Sequence, residues 1–414
     1  MTFSQTVGDF ASLESGFAFK SSDWIASGWP VVKIKNIQDG TVSLEGCGFV
    51  SEDVAAEAVA AGFKAEAGDI LLSLTGYVGQ AGRVSEGDQV LVNQRVGYVK
   101  AHDPAERSYV FYLLLYLKNQ IEELATGTAQ ANVSPKDIRG LLVPSVSREY
   151  RLASAGILET LDKKISINKA LSKTLEGMAQ TIFKSWFIDF DPVKAKMVGQ
   201  EPTGMDAETA ALFPDSMEES ELGKIPSGWK VNPLESVIEL LDSKRVPLNR
   251  AERKARPGPY PYFGATGVLD FIDASLFAGP HVLVGEDGSV VTADGKPVVQ
   301  YVWGEFWVSN HAHVLKGRRG FSVEHVKLLL ENIDISNYIT GAVQLKLSQQ
   351  NLKSVPIVVP PQGVALAFGE LLNPLFSLRR SLEDQSTIVS ELRDSLLPRL
   401  ISGDLKIPDE MLAA

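Results

Sequence analysis

The chain has 414 residues, 44% of them apolar, a net charge of -11 and one cysteine, Cys47. That apolar content suffices for two or three cored domains, and a lone cysteine excludes a disulfide framework or a thiolate zinc site, as expected of a cytoplasmic protein. No basic-then-apolar leader opens the sequence and no stretch reaches the roughly 18 uninterrupted apolar residues of a membrane span, so no membrane partner is expected.

The acid is unevenly placed. Net charge is -6 over residues 1–147, +3 over 148–188, -6 over 189–225, +1 over 226–360 and -3 over 361–414. The predicted elements follow these divisions. A first globule (1–147) leads into a long helix (148–188), an acidic Pro/Gly connector (189–225), a second globule (226–360), a second long helix (361–404) and a tail (405–414).

The first globule reads as mixed α/β. Short β-rich runs, PVVKIKNI (30–37), GDILLSL (68–74) and QVLVNQRVGYVK (89–100), are separated by Gly, Asp and Ser turn signals. A helix is predicted over 108–124 with Ser108 as its N-cap. TGTAQANVSPKDIRGLLVP (126–144) then supplies a polar loop, a short amphipathic turn and a strand closed by proline.

The long helix carries a sustained 4,3 spacing through Ser154, Leu158, Leu161, Ile165, Asn168, Ser172, Leu175, Ala179, Ile182 and Trp186. Near the C-terminus the pattern returns through Leu371, Leu375, Leu378, Leu382, Gln385, Val389, Leu392 and Leu396, and a shift of 217 residues brings the polar Asn168 onto the polar Gln385. An apolar period of 3.5 residues is a coiled-coil seam, and one polar residue per seam selects register and partner. The two helices are therefore expected to pair with each other; the alternative is two separate amphipathic helices, each lying on its own globule.

The connector, DFDPVKAKMVGQEPTGMDAETAALFPDSMEESELGKIPSGW (189–229), reads as solvated by composition, with Phe213 and Trp229 able to dock its ends. Beyond it the first globule's order recurs. FAGPHVLVGEDGSV (277–290) stands for 64–79, and FWVSNHAHVLKG (306–317) for 91–101 with Asn93 on Asn310. A helix over HVKLLLENIDISNYI follows, and TGAVQLKLSQQNLKSVPIVVP (340–360) mirrors 126–144. Such a tandem implies two similar modules. The run KRVPLNRAERKAR (244–256) holds six cations against Glu252, which fits either a solvated loop or a phosphate-binding surface.

Catalytic motifs are missing. Asn232-Pro233-Leu234 and Asn373-Pro374-Leu375 do not complete the proline-flanked tetrad of an adenine or cytosine methyltransferase, no P-loop occurs, and GYVGQAG (76–82) is not a dinucleotide fingerprint. His311 and His313, with His281, could share a strand face and ligate a metal, or be strand residues satisfied by hydrogen bonds, the reading preferred because no carboxylate partner is defined.

Taken together, SGFAFKSSDW, PVVKIKNI, GDILLSLTG, NQRVGYV, TGTAQANVS, FKSWFIDFDPVKAK, ALFP, GKIPSGWKVNPLESV, YFGATGVLDFID, WVSNHAHVLKG and LRDSLLPRLISGDL, in this order around two helices, resemble the specificity (S) subunit of type I restriction-modification systems. The resemblance spans essentially the whole chain. It implies a noncatalytic subunit with a mixed α/β fold, in which two similar target-recognition domains alternate with two long helices paired as an antiparallel coiled coil. Each domain would read half of an interrupted double-stranded DNA site. The helices would dock two methyltransferase (M) subunits, which restriction (R) subunits join. S-adenosylmethionine, ATP and Mg would belong to those partners, leaving this chain without a cofactor. The first module lacks a lead-in like 225–229, and the tail LISGDLKIP is expected to complete it.

A reader of bases needs cations for phosphates and amide or guanidinium groups for base edges. On that ground the candidates in the first module are Lys20, Lys33, Lys35, Tyr77, Gln80, Arg83, Gln94, Arg95, Gln130 and Asn132. In the second they are Lys244, Arg245, Arg250, Arg253, Lys254, Arg256, Asn310, Gln344, Lys346 and Ser348. The rival reading is a coiled-coil interaction scaffold that does not bind DNA.

Overall fold

The computed structural model describes residues 3–38, 40–126, 131–341 and 344–412. They form two compact units, Met1–Ile167 with Gln385–Ala414, and Asn168–Asp384.

In the first unit one sheet runs in the order Ala11–Ser15, Val96–Ala101, Ile70–Ser73, Ala81–Val84, Gly40–Val42, Ile37–Gln38. A second runs Trp24–Ile25, Gly48–Val50, Trp29–Val32, Gln89–Val92, Lys64–Glu66. Ile70–Ser73 is buried at every position, which is why its sequence is continuously apolar and does not alternate. The 89–100 run is two strands, broken where the Asn93 side chain accepts from the Arg95 N–H at 3.2 Å. The 30–37 run ends as a strand at Val32, because the Asn36 side chain accepts from the Lys33 N–H at 3.0 Å and folds Ile34–Asn36 into a tight turn. The helix expected over 108–124 is two helices, Arg107–Tyr116 and Lys118–Glu123. Ser108 does not cap them; its hydroxyl donates to Glu159 on the first long helix.

The second unit repeats the plan. Its sheets run Ile238–Leu240, Ala312–Gly317, His281–Gly285, Val299–Val302, and Val268–Ile272, Pro257–Phe263, Glu305–Val308, Phe277–Ala278. The parallel pairing of Leu91 with Val31 returns as that of Trp307 with Tyr262. Within the run expected to be helical, only Val323–Leu330 is an α-helix, capped by Ser322, whose hydroxyl accepts from the His325 N–H at 3.1 Å.

The acidic 189–225 stretch is folded and not solvated along its length. Asp191–Met197 and Ala207–Ala211 are helices, and Met217–Ser220 pairs with Gly223–Pro226. Phe190, Val193, Phe213, Ile225 and Trp229 enter the core, with Phe190 turning the chain at a φ of 55°. Widely spaced apolar anchors of this kind are invisible in an average composition. In the first unit the tail does similar work: Ile407 is buried in its core and the Leu405 carbonyl accepts from the Tyr150 hydroxyl at 2.6 Å.

Arg148–Phe187 and Gln362–Ile401 are the two long helices, each about 60 Å long at 1.5 Å per residue. In the first unit Ser154 donates to the Leu400 carbonyl at 3.4 Å and Arg393 pairs with Asp162 at 2.7 Å. In the second, Asn168 donates to the Leu382 carbonyl at 3.4 Å and Glu176 pairs with Arg379 at 3.5 Å. Numbers rising on one helix meet numbers falling on the other, so within each unit the pairing is antiparallel. On the first helix Leu158, Ile165, Asn168 and Leu175 are buried and Leu161 half-buried. On the second, Leu382 is buried and Leu375 half-buried, but Leu371, Leu378, Gln385 and Leu392 are exposed and the stripe passes instead through Leu372, Arg379, Ser386 and Arg393. The arginines displace the seam by one residue. Their stems pack inward while Arg379 reaches Glu176 at 3.5 Å and Arg393 reaches Asp162, an ionic layer that a hydrophobic pattern misses.

Candidate nucleic-acid interface

In the first unit three loops are sewn together at one end of the sheets. The Leu74 N–H donates to the Arg95 carbonyl at 3.1 Å, the Val133 N–H to the Leu74 carbonyl at 3.0 Å, and the Gly76 N–H to the Ala131 carbonyl at 2.9 Å. The Asn93 N–H reaches the Val32 carbonyl at 3.2 Å and the Gln94 N–H the Phe17 carbonyl at 2.9 Å, adding two further loops. This crown gathers Tyr77, Gln94 and Arg95, all exposed, with Tyr77 at 78%. Beside them is Asn132, whose side-chain oxygen accepts from the Thr75 hydroxyl at 2.8 Å.

The second unit builds the same frame. The Glu286 N–H donates to the His311 carbonyl at 2.8 Å, the Leu347 N–H to the Glu286 carbonyl at 2.9 Å, the Gly288 N–H to the Leu345 carbonyl at 2.9 Å, and the Ser309 N–H to the Phe263 carbonyl at 2.9 Å. Asp287 bridges to Lys346 as Thr75 does to Asn132. Bond for bond, Leu74 corresponds to Glu286, Arg95 to His311 and Asn132 to Lys346. The partner of Asn93 is therefore Ser309, one residue from the Asn310 indicated by the sequence. Its hydroxyl accepts from the His311 N–H at 3.2 Å, as Asn93 accepts from Arg95. Asn310 instead matches Gln94, and both are exposed.

The remaining candidates divide by what holds them. Lys20 and Lys35 are exposed, and the Lys33 ammonium lies 3.7 Å over the Trp24 ring. Gln80 is half-buried, its N–H bonded to the Ser73 hydroxyl at 3.0 Å. Arg83 is not a free cation: it pairs with Glu159 at 2.9 Å and sits 4.1 Å over the Phe111 ring. Gln130 lies outside the described residues. In the basic run, Arg245 pairs with Glu286 at 2.9 Å, Arg253 with Asp270 at 3.0 Å and Arg256 with Asp273 at 2.8 Å. Lys244, Arg250 and Lys254 are exposed and pair with no acid among the described residues. Gln344 is exposed, Lys346 is exposed 3.7 Å from Glu286, and Ser348 is an N-cap, its hydroxyl accepting from the Asn351 N–H at 3.1 Å. Ser134 caps the matching helix of the first unit.

Sequence reasoning missed a charged cluster beneath the second crown. Asp242 Oδ2 accepts from His313 Nδ1 at 2.6 Å and from Gln349 at 2.7 Å, and Oδ1 from the Val314 N–H at 2.8 Å. His313 Nε2 donates to the Leu347 carbonyl at 2.8 Å. The His313 ring is thus held between the Asp242 carboxylate and the Leu347 carbonyl. Burial raises the Asp242 carboxyl, but the His313 bond and charge, the Val314 N–H and Arg245 outweigh it and hold the group below the ordinary carboxylate value. Ligand atoms of Asp242, Glu286 and His313 lie within 4.8 Å of one another. Arg245, 3.3 Å from Asp242 and 2.9 Å from Glu286, already supplies a cation there.

His311 and His313 do not share a face, because His311 precedes the strand Ala312–Gly317 and turns outward to Asp287 at 2.6 Å. His281 is elsewhere, donating from Nδ1 to the Gly279 carbonyl at 2.9 Å, and burial holds its pKa below the usual histidine value. The His-Ala-His motif was the only sequence signal for this cluster. Its acidic members, Glu286 and Asp242, lie 27 and 71 residues before His313 in the chain.

The family model of the type I restriction modification DNA specificity domain matches residues 4–177 and again 226–376, taking in both crowns. The chain belongs to this specificity family. Its relatives include the MjaIX type I restriction enzyme specificity subunit of Methanocaldococcus jannaschii, 23% identical over 83% of this chain and 78% of that one. The HindI specificity subunit of Haemophilus influenzae is 21% identical over 71% of this chain and 77% of its own length. A putative specificity subunit from the same organism is 30% identical over 36% of this chain and 37% of its own length. The fold matches the crystal structure of the type I restriction-modification S subunit from M. genitalium, with a TM-score of 0.58 at 14% identity over 99% of this chain and 97% of that one. Among the described residues of this specificity-family chain, no helix is long and apolar enough to cross a membrane.

Proposed function

We propose that this specificity subunit reads a bipartite, asymmetric double-stranded DNA site, one half with each crown, and docks two methyltransferase subunits and, through them, restriction subunits. Methyl transfer from S-adenosylmethionine and ATP- and Mg-dependent cleavage belong to those partners. This chain does no chemistry of its own. The observation carrying this reading is the repetition of one loop frame with different outward groups: Tyr77, Gln94, Arg95 and Asn132 on the first, Asn310, His311 and Lys346 on the second. A fixed frame with exchanged side chains is how one scaffold reads two sequences, since backbone contacts position and side chains specify.

Duplex binding tests the DNA half of the reading against the scaffold alternative. The purified chain is expected to be retained on heparin and to bind duplex DNA with affinity that falls steeply with salt. No retention and no salt-dependent binding would leave the scaffold reading.

A further inference from the structure

The two crowns share a frame but stand on different floors. In the first unit Leu72 pairs with Gly97 across the strands, and a Cβ on Gly97 would meet Leu13 Cδ1 at 2.7 Å and Leu74 Cδ2 at 3.3 Å. Leucines therefore fill the space under that loop. In the second unit the matching pair is Val284 and His313, and the position of Leu74 is taken by Glu286, whose carboxylate lies 3.6 Å from His313 Nδ1. Arg245 joins the parts: its Nη1 donates to Glu286 at 2.9 Å, to the Ala312 carbonyl at 2.6 Å and to the Asn310 carbonyl at 3.4 Å. One guanidinium thus clamps both ends of the Asn310–Ala312 turn to the loop that begins at Glu286. The two carboxylates face the guanidinium and the doubly hydrogen-bonded imidazole. A buried set of this kind is strongly geometry-demanding, because each member left unpaired would be a desolvated charge.

We propose that the Asp242–Arg245–Glu286–His313 network positions the base-reading groups of the second crown, so that the half-site it reads is set in part by buried residues that do not touch DNA. The inference rests on the DNA-reading function proposed above. Arg245 is then a positioning residue and not a phosphate contact. Among the described residues the ionic network has no counterpart under the first crown, where the Ser73 hydroxyl holds the Tyr77 carbonyl and the rest is apolar packing, which is non-directional and tolerates repacking. The two half-sites should therefore respond differently to substitution of the floor.

The test is genome-wide mapping of methylated bases in a host whose chromosomal copy of this chain is replaced by the wild type, Arg245→Lys, Glu286→Gln or Gln349→Ala. Lysine keeps the charge of Arg245 but cannot reproduce its fork, and glutamine keeps the shape of Glu286 but loses its charge. Both variants are expected to raise methylation of sites differing by one base in one half about ten-fold, the scale of a single discriminating base contact, with the other half and the gap unchanged. Gln349→Ala, which removes only the 2.7 Å bond to Asp242 from the exposed edge of the network, should relax the same half to a smaller degree. A purely stabilising role predicts fewer methylated copies of an unchanged motif, and that result overturns the proposal, as does equal relaxation of both halves. Unchanged discrimination in Gln349→Ala overturns it even when the Arg245 variant does not accumulate. If the wild type directs no bipartite methylation, the failure lies with the DNA-reading function itself.

Discussion

The Lys327 ammonium, 3% exposed, donates to Glu176 at 2.6 Å and to Glu331 at 2.6 Å, fastening the helix Val323–Leu330 to the first long helix within the second unit. Arg379 adds a second cation 3.5 Å from Glu176. Burial raises the Glu176 carboxyl, but the Lys327 bond and the two positive charges outweigh it and keep the group below its ordinary value. Removing Lys327 leaves the half-buried Glu331 without its cation and Glu176 with Arg379 alone. Lys327→Ala is expected to lower unfolding stability by about 3–5 kcal/mol in urea titrations; a drop below about 1 kcal/mol would show that the ion pair is solvated.

His325 gives the second unit a pH dependence. Its ring is walled by Phe183, Phe187, Phe321 and Phe368, and burial alone pushes its pKa down to about 3 from the ordinary 6.5. The unfolded chain binds this proton below the ordinary value while the folded one does not. The stability is therefore complete above pH 6.5 and is lost as the pH falls from 6.5 toward 3, at up to about 1.4 kcal/mol per pH unit. His325→Phe should flatten the dependence between pH 6.5 and about pH 5 in thermal melts. An equal slope in both proteins would assign the acid sensitivity to other groups.

The basic run separates into two classes with opposite readouts. Replacing Lys244, Arg250 and Lys254 with alanine should weaken duplex binding and reduce the log–log salt slope by about 0.9 for each phosphate left without its cation, with little change in stability. Arg253→Ala, which breaks the 3.0 Å pair with Asp270 and the 2.7 Å bond to the Leu248 carbonyl, should leave the slope alone. It should lower stability by about 1–3 kcal/mol. Binding titrations at several salt concentrations and urea melts, run side by side, decide between them.

The tandem plan, the antiparallel helices and the most apolar strands, Ile70–Ser73 and Val96–Ala101 among them, were legible in the sequence; short strands such as Ala11–Ser15, Gly40–Val42 and Ala81–Val84 carry no comparable signal. The crown was legible in part. Tyr77, Gln94 and Arg95 in the first unit, and Asn310 and Lys346 in the second, stand out as polar residues beside turn signals and are exposed on the crown of their own unit. Arg83, Arg245, Arg253 and Arg256 look the same in the sequence, yet each pairs with an acid 17 to 76 residues away, Arg245 with the nearby Asp242 as well. Ion pairs across such separations leave no local pattern. The seam through Arg379 and Arg393 was missed for a related reason: a long cationic side chain can bury its stem while its head finds a carboxylate.

The continuous helices, and not the acidic stretch between the modules, are expected to set the gap between half-sites. Four residues inserted after Leu175, with four more beside the facing Arg379, add about 6 Å of rise, close to two base pairs at about 3.4 Å each. Both half-sites should survive with the gap lengthened by one or two base pairs. Deleting residues 199–204, which lie between the helices Asp191–Met197 and Ala207–Ala211, should leave the gap unchanged. A gap that follows the deletion and ignores the insertion would remove the ruler from the account while leaving DNA recognition intact.

Mapping methylated bases across the host genome with and without this chain tests the central claim most directly. The account predicts one two-part asymmetric motif, separated by a fixed gap, that is methylated when the chain is present and disappears when it is deleted, while the purified chain alone transfers no methyl group to DNA. A methylome identical in the two strains, or methyl transfer by the isolated chain, would contradict it.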